Sequence, residues 1–280
     1  VPEIAYVNGQ FLPLADATVP VEDRGYQFAD AVYEVLRTYG GRLFALDEHL
    51  GRLWRSLDAI ELKHDLTRAA LRDVIQEAVR QAEFPESLVY LQISRGVAKR
   101  HRGVPATVKP TVVLTVRALP DSTALRQRGI TCVTVPDQRW GRCDIKSVAL
   151  LANVLAYQTA RRAGADDAIF VEADGTVNEA TAGNVFLLTG EALVTPTPGP
   201  KLLGGITREK LLLAAKGAGI PVVERRVTKA DLFAATEMFL SSTTAEVVPV
   251  RAVDGRPVGD GRPGPLAARV YAEFVRRWTQ

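Results

Sequence analysis

Residues 139–147 read Arg139-Trp140-Gly141-Arg142-Cys143-Asp144-Ile145-Lys146-Ser147. The segment follows a β-rich run and precedes a helical pattern. Lys146 has Arg139 and Arg142 upstream, and the apolar run Val148-Ala149-Leu150-Leu151 comes shortly after it. An ordinary lysine, with a pKa of roughly 10.4, is charged at neutral pH. Partial burial and neighbouring cations lower that pKa and release a nucleophilic amine. Local chemistry therefore marks Lys146 as a candidate reactive amine. Ser147 is a candidate N-cap for a long helix to about Ala163, with Leu150, Leu151, Val154 and Leu155 on its apolar face.

Upstream, Glu3 to Val7 and Gln10 to Leu12 read as strands around the hairpin signal Asn8-Gly9. Ala31 to Tyr39 is rich in β-branched and aromatic residues and predicts a strand. Asp47 is a candidate N-cap for a helix with Leu50, Leu53, Trp54, Leu57 and Ile60 on its buried stripe. His49, Arg52 and Arg55 do not all lie on that stripe, so basic groups there are free to face a ligand. A second helix starts near Thr67. Strands at Leu88 to Ser94 and Thr111 to Arg117 flank a basic loop, Arg95-Gly96-Val97-Ala98-Lys99-Arg100-His101-Arg102-Gly103.

Downstream, Asp167 to Glu172, Thr176 to Glu179, Asn184 to Leu188, Ala192 to Val194 and Pro221 to Val227 read as strands. Gly204-Gly205-Ile206-Thr207 leads into a helix: glycines admit a close backbone approach, and the first N–H groups of a helix point at an anion. Thr228 with Asp231 predicts a capping box. Met238 to Ser242 and Val247 to Val253 are strands, and Pro265 to Trp278 is the last helix. Strands and helices mix without regular βαβ alternation, which predicts an α+β fold of two α/β domains with mixed sheets. The expected division is an N-terminal small domain over 1–118, a polar, proline-containing linker over 119–127, and a C-terminal domain over 128–280.

Composition narrows the function classes. Of 280 residues, 47% are hydrophobic and 24% charged, as in a soluble globular protein. A net charge of +3, with no block of like charges, gives nucleic-acid binding little support. No apolar run approaches the roughly 18 residues of a membrane span, so no membrane partner and no signal peptide are expected. Cys132 and Cys143 form no disulfide framework, and His49, His64 and His101 lack zinc-site spacing. A cytoplasmic protein without a metal is expected.

Five motifs occur in an order that resembles the fold-type IV, pyridoxal-phosphate (PLP) dependent aminotransferases, and within them the D-amino-acid branch. They are Arg24-Gly25-Tyr26-Gln27-Phe28-Ala29-Asp30-Ala31-Val32-Tyr33-Glu34-Val35, Asp47-Glu48-His49-Leu50-Gly51-Arg52-Leu53, Cys143-Asp144-Ile145-Lys146-Ser147, Thr176-Val177-Asn178-Glu179-Ala180-Thr181-Ala182-Gly183-Asn184-Val185-Phe186, and Gly205-Ile206-Thr207-Arg208. The resemblance covers nearly the whole chain. It implies a cofactor, pyridoxal 5'-phosphate, held between the two domains, and ping-pong transfer of an amino group from a D-amino acid such as D-alanine to a 2-oxo acid such as 2-oxoglutarate.

It also implies residue roles. Lys146 is the imine lysine and proton shuttle, and Glu179 pairs with the ring nitrogen. Arg52, Ile206 (through its N–H), Thr207 and Thr243 hold the phosphate. Leu203 supports the ring face, and Arg139 helps position lysine and ring. Tyr33 lines the substrate pocket, with Thr244 nearby. In family members an arginine and a histidine spaced R-x-H catch the substrate carboxylate. Here Arg100 fits the arginine position, Arg102 stands where the histidine should be, and His101 comes one residue early. Three cations still suit a carboxylate, but the change bears on substrate range. The resemblance also implies a homodimer, with Arg100 acting across its interface. A branched-chain L-amino-acid transaminase, an (R)-amine transaminase and an aminodeoxychorismate lyase share the fold and remain alternatives.

Overall fold

Asn8 and Gly9 both take positive φ, at 46° and 103°, and turn β1 (Ile4–Val7) into β2 (Gln10–Pro13). Asn tolerates that region and Gly has no side chain to strain, so the hairpin forms where predicted. The computed structural model describes residues 3–279. They divide into two compact units, one holding residues through Pro120 together with Ile145–Ala149, the other holding Asp121–Asp144 and the chain from Leu150 on.

In the first unit the chain continues through α1 (Arg24–Phe28), β3 (Ala31–Tyr39), β4 (Arg42–Leu43), α2 (Leu46–Ala59), α3 (Arg68–Ala82), β5 (Ser87–Ser94) and β6 (Thr111–Ala118). The sheet order is β2-β1-β6-β5-β3-β4. All its pairings are antiparallel, where mixed sheets were expected in both domains. Leu50, Leu53 and Leu57 of α2 recur at helical spacing and are buried with Leu36, Leu91 and Leu114 of the sheet. Full burial of each leucine contributes about 1.5–3 kcal/mol. The helix starts at Leu46, so Asp47 lies in its first turn instead of capping it.

The second unit begins with α4 (Thr123–Arg128), inside the stretch read as a linker, and β7 (Ile130–Pro136). It continues through α5 (Leu151–Arg162), β8 (Asp167–Val171), β9 (Thr176–Ala180), β10 (Asn184–Thr189), β11 (Ala192–Pro196), α6 (Ile206–Gly217), β12 (Val222–Arg225) and β13 (Val227–Thr228). After these come α7 (Lys229–Ala234), β14 (Glu237–Ser242), β15 (Glu246–Val253), β16 (Arg256–Pro257) and α8 (Pro265–Trp278). The Thr228–Asp231 capping box opens α7 as predicted. The sheet mixes parallel and antiparallel pairs, with β7 parallel to both β8 and β15. One pairing, Asn184 with Glu179, joins β10 to β9. It closes β10, β14, β15, β7, β8 and β9 into a ring.

The helix expected from Ser147 starts later. Ser147 bridges Val32, and Val148 donates its N–H to the Ala31 carbonyl, so the segment is strand-like through Val148. The expected apolar face is also reversed. Ala156 and Ala160 pack against Val135, Ala168 and Phe170, while Leu150, Leu151, Val154 and Leu155 are exposed. Alanines four residues apart let the helix sit close to the sheet, which turns the larger side chains outward.

Candidate active site

In the first unit, the lysine segment is fixed through its backbone. Tyr33 donates its N–H to the Lys146 carbonyl at 2.9 Å, and the Lys146 N–H donates to Ser56 Oγ at 3.2 Å. Ile145 and Ser147 on either side are buried, leaving Lys146 half-buried between them. Its Nζ lies 4.2 Å from the centre of the Tyr33 ring, a cation–π distance whenever the amine is protonated. The first unit therefore brings Lys146 and Tyr33 together. The expected arginine neighbours are engaged otherwise: Arg142 forks onto Asp144 with two 3.0 Å hydrogen bonds, and Arg139 is bound to Asp137 and Glu179.

The expectation that the basic groups of α2 are free for a ligand is corrected for two of them. On β3, Val32, Glu34 and Leu36 share the phase that faces the core, and Glu34 is buried among them. A buried carboxylate requires partners. Arg52 supplies Nε at 2.8 Å and Nη2 at 2.7 Å, and His49 places Nδ1 2.8 Å from the same carboxylate. Burial pushes Glu34 up, but the charge and hydrogen bonds of Arg52 and the His49 contact outweigh it and hold its pKa down to about 2. Burial drives His49 below the usual imidazole value, only partly offset by Glu34. Its Nε2 is buried without a hydrogen-bond partner among the described residues. Only Arg55 remains exposed.

The second unit builds a different constellation. Ala180 N–H donates to the Gly183 carbonyl at 2.8 Å, closing a tight turn that sets Glu179 opposite Asn184. The five-residue spacing of that motif is thus a cross-strand contact. Asn184 Nδ2 and the Leu203 N–H donate to Glu179 Oε2 at 3.3 and 3.2 Å, and Arg139 Nη1 donates to Oε1. Arg139 is held in turn by Asp137, by the Lys201 carbonyl, and over the Phe170 ring at 4.2 Å. Burial opposes the Arg139 charge, but the two carboxylates more than restore it. Glu179 is therefore a carboxylate whose position is fixed from several directions.

Gly205 is the N-cap of α6 and provides no side-chain cap. A Cβ there would lie 2.2 Å from Asn184 Oδ1, so only glycine fits. Ile206 and Thr207 are buried at the helix start. Asn184 pairs with Ser241 across β10 and β14, which carries Ser241 to the same region. Thr207 Oγ1 and Ser241 Oγ are both buried with no hydrogen-bond partner among the described residues. Orphaned hydroxyls cost about 1–3 kcal/mol each, and the first N–H groups of α6 have no intrahelical acceptor. Such donors converge for an anion, and a phosphate monoester fits them. Thr243 and Thr244 follow, half-buried in the turn after β14.

Arg100, His101 and Arg102 are exposed on the loop before β6. The contacts of Arg100 are the Gln27 carbonyl at 3.1 Å and the Phe28 ring, and His101 Nδ1 accepts the Gly103 N–H. Sequence reasoning missed Glu34, His49, Ser56 and Asp137 as parts of these constellations, whereas the run Ser241-Ser242-Thr243-Thr244 was read as a source of phosphate-binding hydroxyls. Glu34 carried a signal, a charge at a core-facing position of an alternating strand. The others have meaning only through contacts distant in sequence.

The amino-transferase class IV family model matches residues 31–253. The D-alanine aminotransferase of Bacillus licheniformis is 40% identical over 263 residues, covering 94% of this chain and 93% of that protein. Among solved structures, a branched-chain amino acid aminotransferase from Escherichia coli aligns with a TM-score of 0.92 at 26% identity, over 100% of this chain and 95% of that one. A hypothetical aminotransferase from Mycobacterium tuberculosis, in a PLP-bound form, aligns with a TM-score of 0.83 at 26% identity, over 98% and 99%.

Proposed function

Because this chain belongs to the amino-transferase class IV family, we infer that it is a PLP-dependent transaminase that moves the amino group of a D-amino acid such as D-alanine to a 2-oxo acid. The carrying observation is the pair of buried, unpartnered hydroxyls of Thr207 and Ser241 at the uncapped start of α6, which suits a phosphate. Pyridoxal phosphate, when bound, supplies an electron sink for the charge left on the substrate carbon.

The chain's own residues do the rest. Lys146 would hold the cofactor, and its Nζ would take and return the substrate's α-proton. Backbone bonds to Tyr33 and Ser56 keep that amine in place. Glu179, oriented by Arg139, Asn184 and the Leu203 N–H, accepts the proton-bearing ring nitrogen. Ile206 N–H, Thr207 and Thr243 would hold the phosphate, with the charge of Arg52 added, and Leu203 would support the ring face. Tyr33, Thr244 and the cations Arg100, His101 and Arg102 receive the substrate.

The test is the absorption spectrum of the purified protein before and after D-alanine and, separately, L-leucine. Loss of the visible band with D-alanine alone supports the reading. Loss with L-leucine alone moves the substrate to the branched-chain class, the alternative that the Escherichia coli neighbour favours. No visible band after added cofactor overturns both.

The reading includes a cytoplasmic homodimer. Both cysteines are free and buried, in keeping with a reducing compartment; recovery of the protein outside the cytoplasmic fraction would overturn that part. The face of α5 bearing Leu151 and Leu155, 72% and 60% exposed, suits a second copy. Leu151→Glu with Leu155→Glu should convert dimer to monomer in sedimentation, and an unchanged sedimentation coefficient would remove α5 from that interface.

A further inference from the structure

Residues 95–110 join β5 to β6 without a helix or strand of their own. Their tip carries Lys99, Arg100, His101 and Arg102 in succession, all exposed. Adjacent like charges repel, and a long connection has no intrinsic shape. Something outside the loop must set where those cations stand, and α1 makes the contacts that can.

Arg24 is the first residue of α1 and is 4% exposed. Its Nε is fixed on Asp30 Oδ2 at 2.8 Å, and Asp30 is itself held by Arg95. The free end of the guanidinium then reaches the loop. Nη1 donates to the His101 carbonyl at 2.6 Å and the Gly103 carbonyl at 3.3 Å, and Nη2 reaches the Arg102 carbonyl at 3.5 Å. The next turn of α1 adds to the grip. Gln27 Nε2 donates to the Ala98 carbonyl, and the Phe28 ring lies 5.0 Å from the Arg24 guanidinium and 4.6 Å from that of Arg100. The hold from Arg24 and Gln27 is on main-chain oxygens, so it fixes the backbone of residues 98–103 without engaging the side chains of Arg100, His101 and Arg102, which are exposed.

We propose that Arg24 is a positioning residue for substrate specificity: it grips the loop by its carbonyl oxygens and so sets where the Arg100–Arg102 cations meet a substrate carboxylate. This rests on the reading of those cations as the carboxylate site. A lysine would keep the charge but not the fork that spans Asp30 and the loop carbonyls together.

The holoenzyme with Arg24→Lys is compared with wild type and with a variant carrying Arg100→Ala and Arg102→Ala. Limited trypsin cleavage at residues 99–102 reads loop position without reference to activity, and KM and kcat for D-alanine read its consequence. Losing charge-assisted hydrogen bonds should speed loop cleavage about tenfold and raise KM about tenfold, with kcat within about twofold. Cleavage and KM both at wild-type values overturn the proposal. So does a parallel loss of kcat and thermal stability, which marks a purely structural role. Faster cleavage with unchanged KM also overturns it. If the Arg100→Ala, Arg102→Ala variant then shows unchanged KM as well, the carboxylate reading of the loop has failed; if its KM rises, only the role of Arg24 has. Absence of D-alanine turnover in wild type removes the D-amino-acid reading and, with it, the specificity role of Arg24; faster cleavage in Arg24→Lys would then show only that Arg24 holds the loop.

Discussion

Lys146→Ala should lower transamination of D-alanine by more than about ten-thousandfold, because in the proposed function one side chain provides both the covalent attachment and the proton transfer. The visible band of the bound cofactor should disappear with it. The change is a clean one. Lys146 is anchored by its main chain, through the Tyr33 N–H and Ser56 Oγ, and alanine keeps both contacts. Its side chain is only half-buried, so the thermal midpoint should stay close to wild type. In the second unit, Lys201 is committed to Glu172, and Lys229 to Thr134 and Asp254. Turnover at the wild-type rate in Lys146→Ala would end the assignment.

Glu34→Ala should be the most destabilising single change in the first unit. It removes the carboxylate that Arg52 and His49 bind in the core. Breaking a buried pair from one side costs about 3–5 kcal/mol, which corresponds to a fall of roughly 6–20 °C in the melting midpoint. Glu34→Gln keeps an acceptor oxygen and should fall between the two.

The pH dependence has a definite sign. Glu34 titrates at about 2 in the fold against an ordinary 4.5, so its contribution is complete above the ordinary carboxylate range and is lost as pH drops toward 2. His49 is also depressed from 6.5, and the unfolded chain takes up that proton first, so its contribution likewise declines as pH falls below that value. Denaturant titrations from pH 7 downward should show falling stability in wild type and a flatter profile below about pH 4.5 in Glu34→Gln. A melting midpoint for Glu34→Ala equal to that of wild type would mean that the buried pair does not form.

Local chemistry was enough for much of this chain. Asn8-Gly9 needs no partner to turn, and the Thr228–Asp231 box caps its own helix. The segments around Lys146, Glu179 and Gly205-Ile206-Thr207 were therefore legible as motifs. Contacts distant in sequence were not. Glu34 looks like an ordinary strand charge until α2 delivers Arg52 and His49 to it. Ser147 is a good cap in isolation, but pairing with Val32 draws it into a strand-like segment, because backbone hydrogen bonds to β3 are available there and outweigh a helix start. The leucines of α5 show helical periodicity yet face outward, since periodicity reports an amphipathic helix without saying which face the sheet accepts. Turns, caps and motifs are set within a few residues; burial, charge pairing and the facing of a helix depend on what the rest of the fold brings against them.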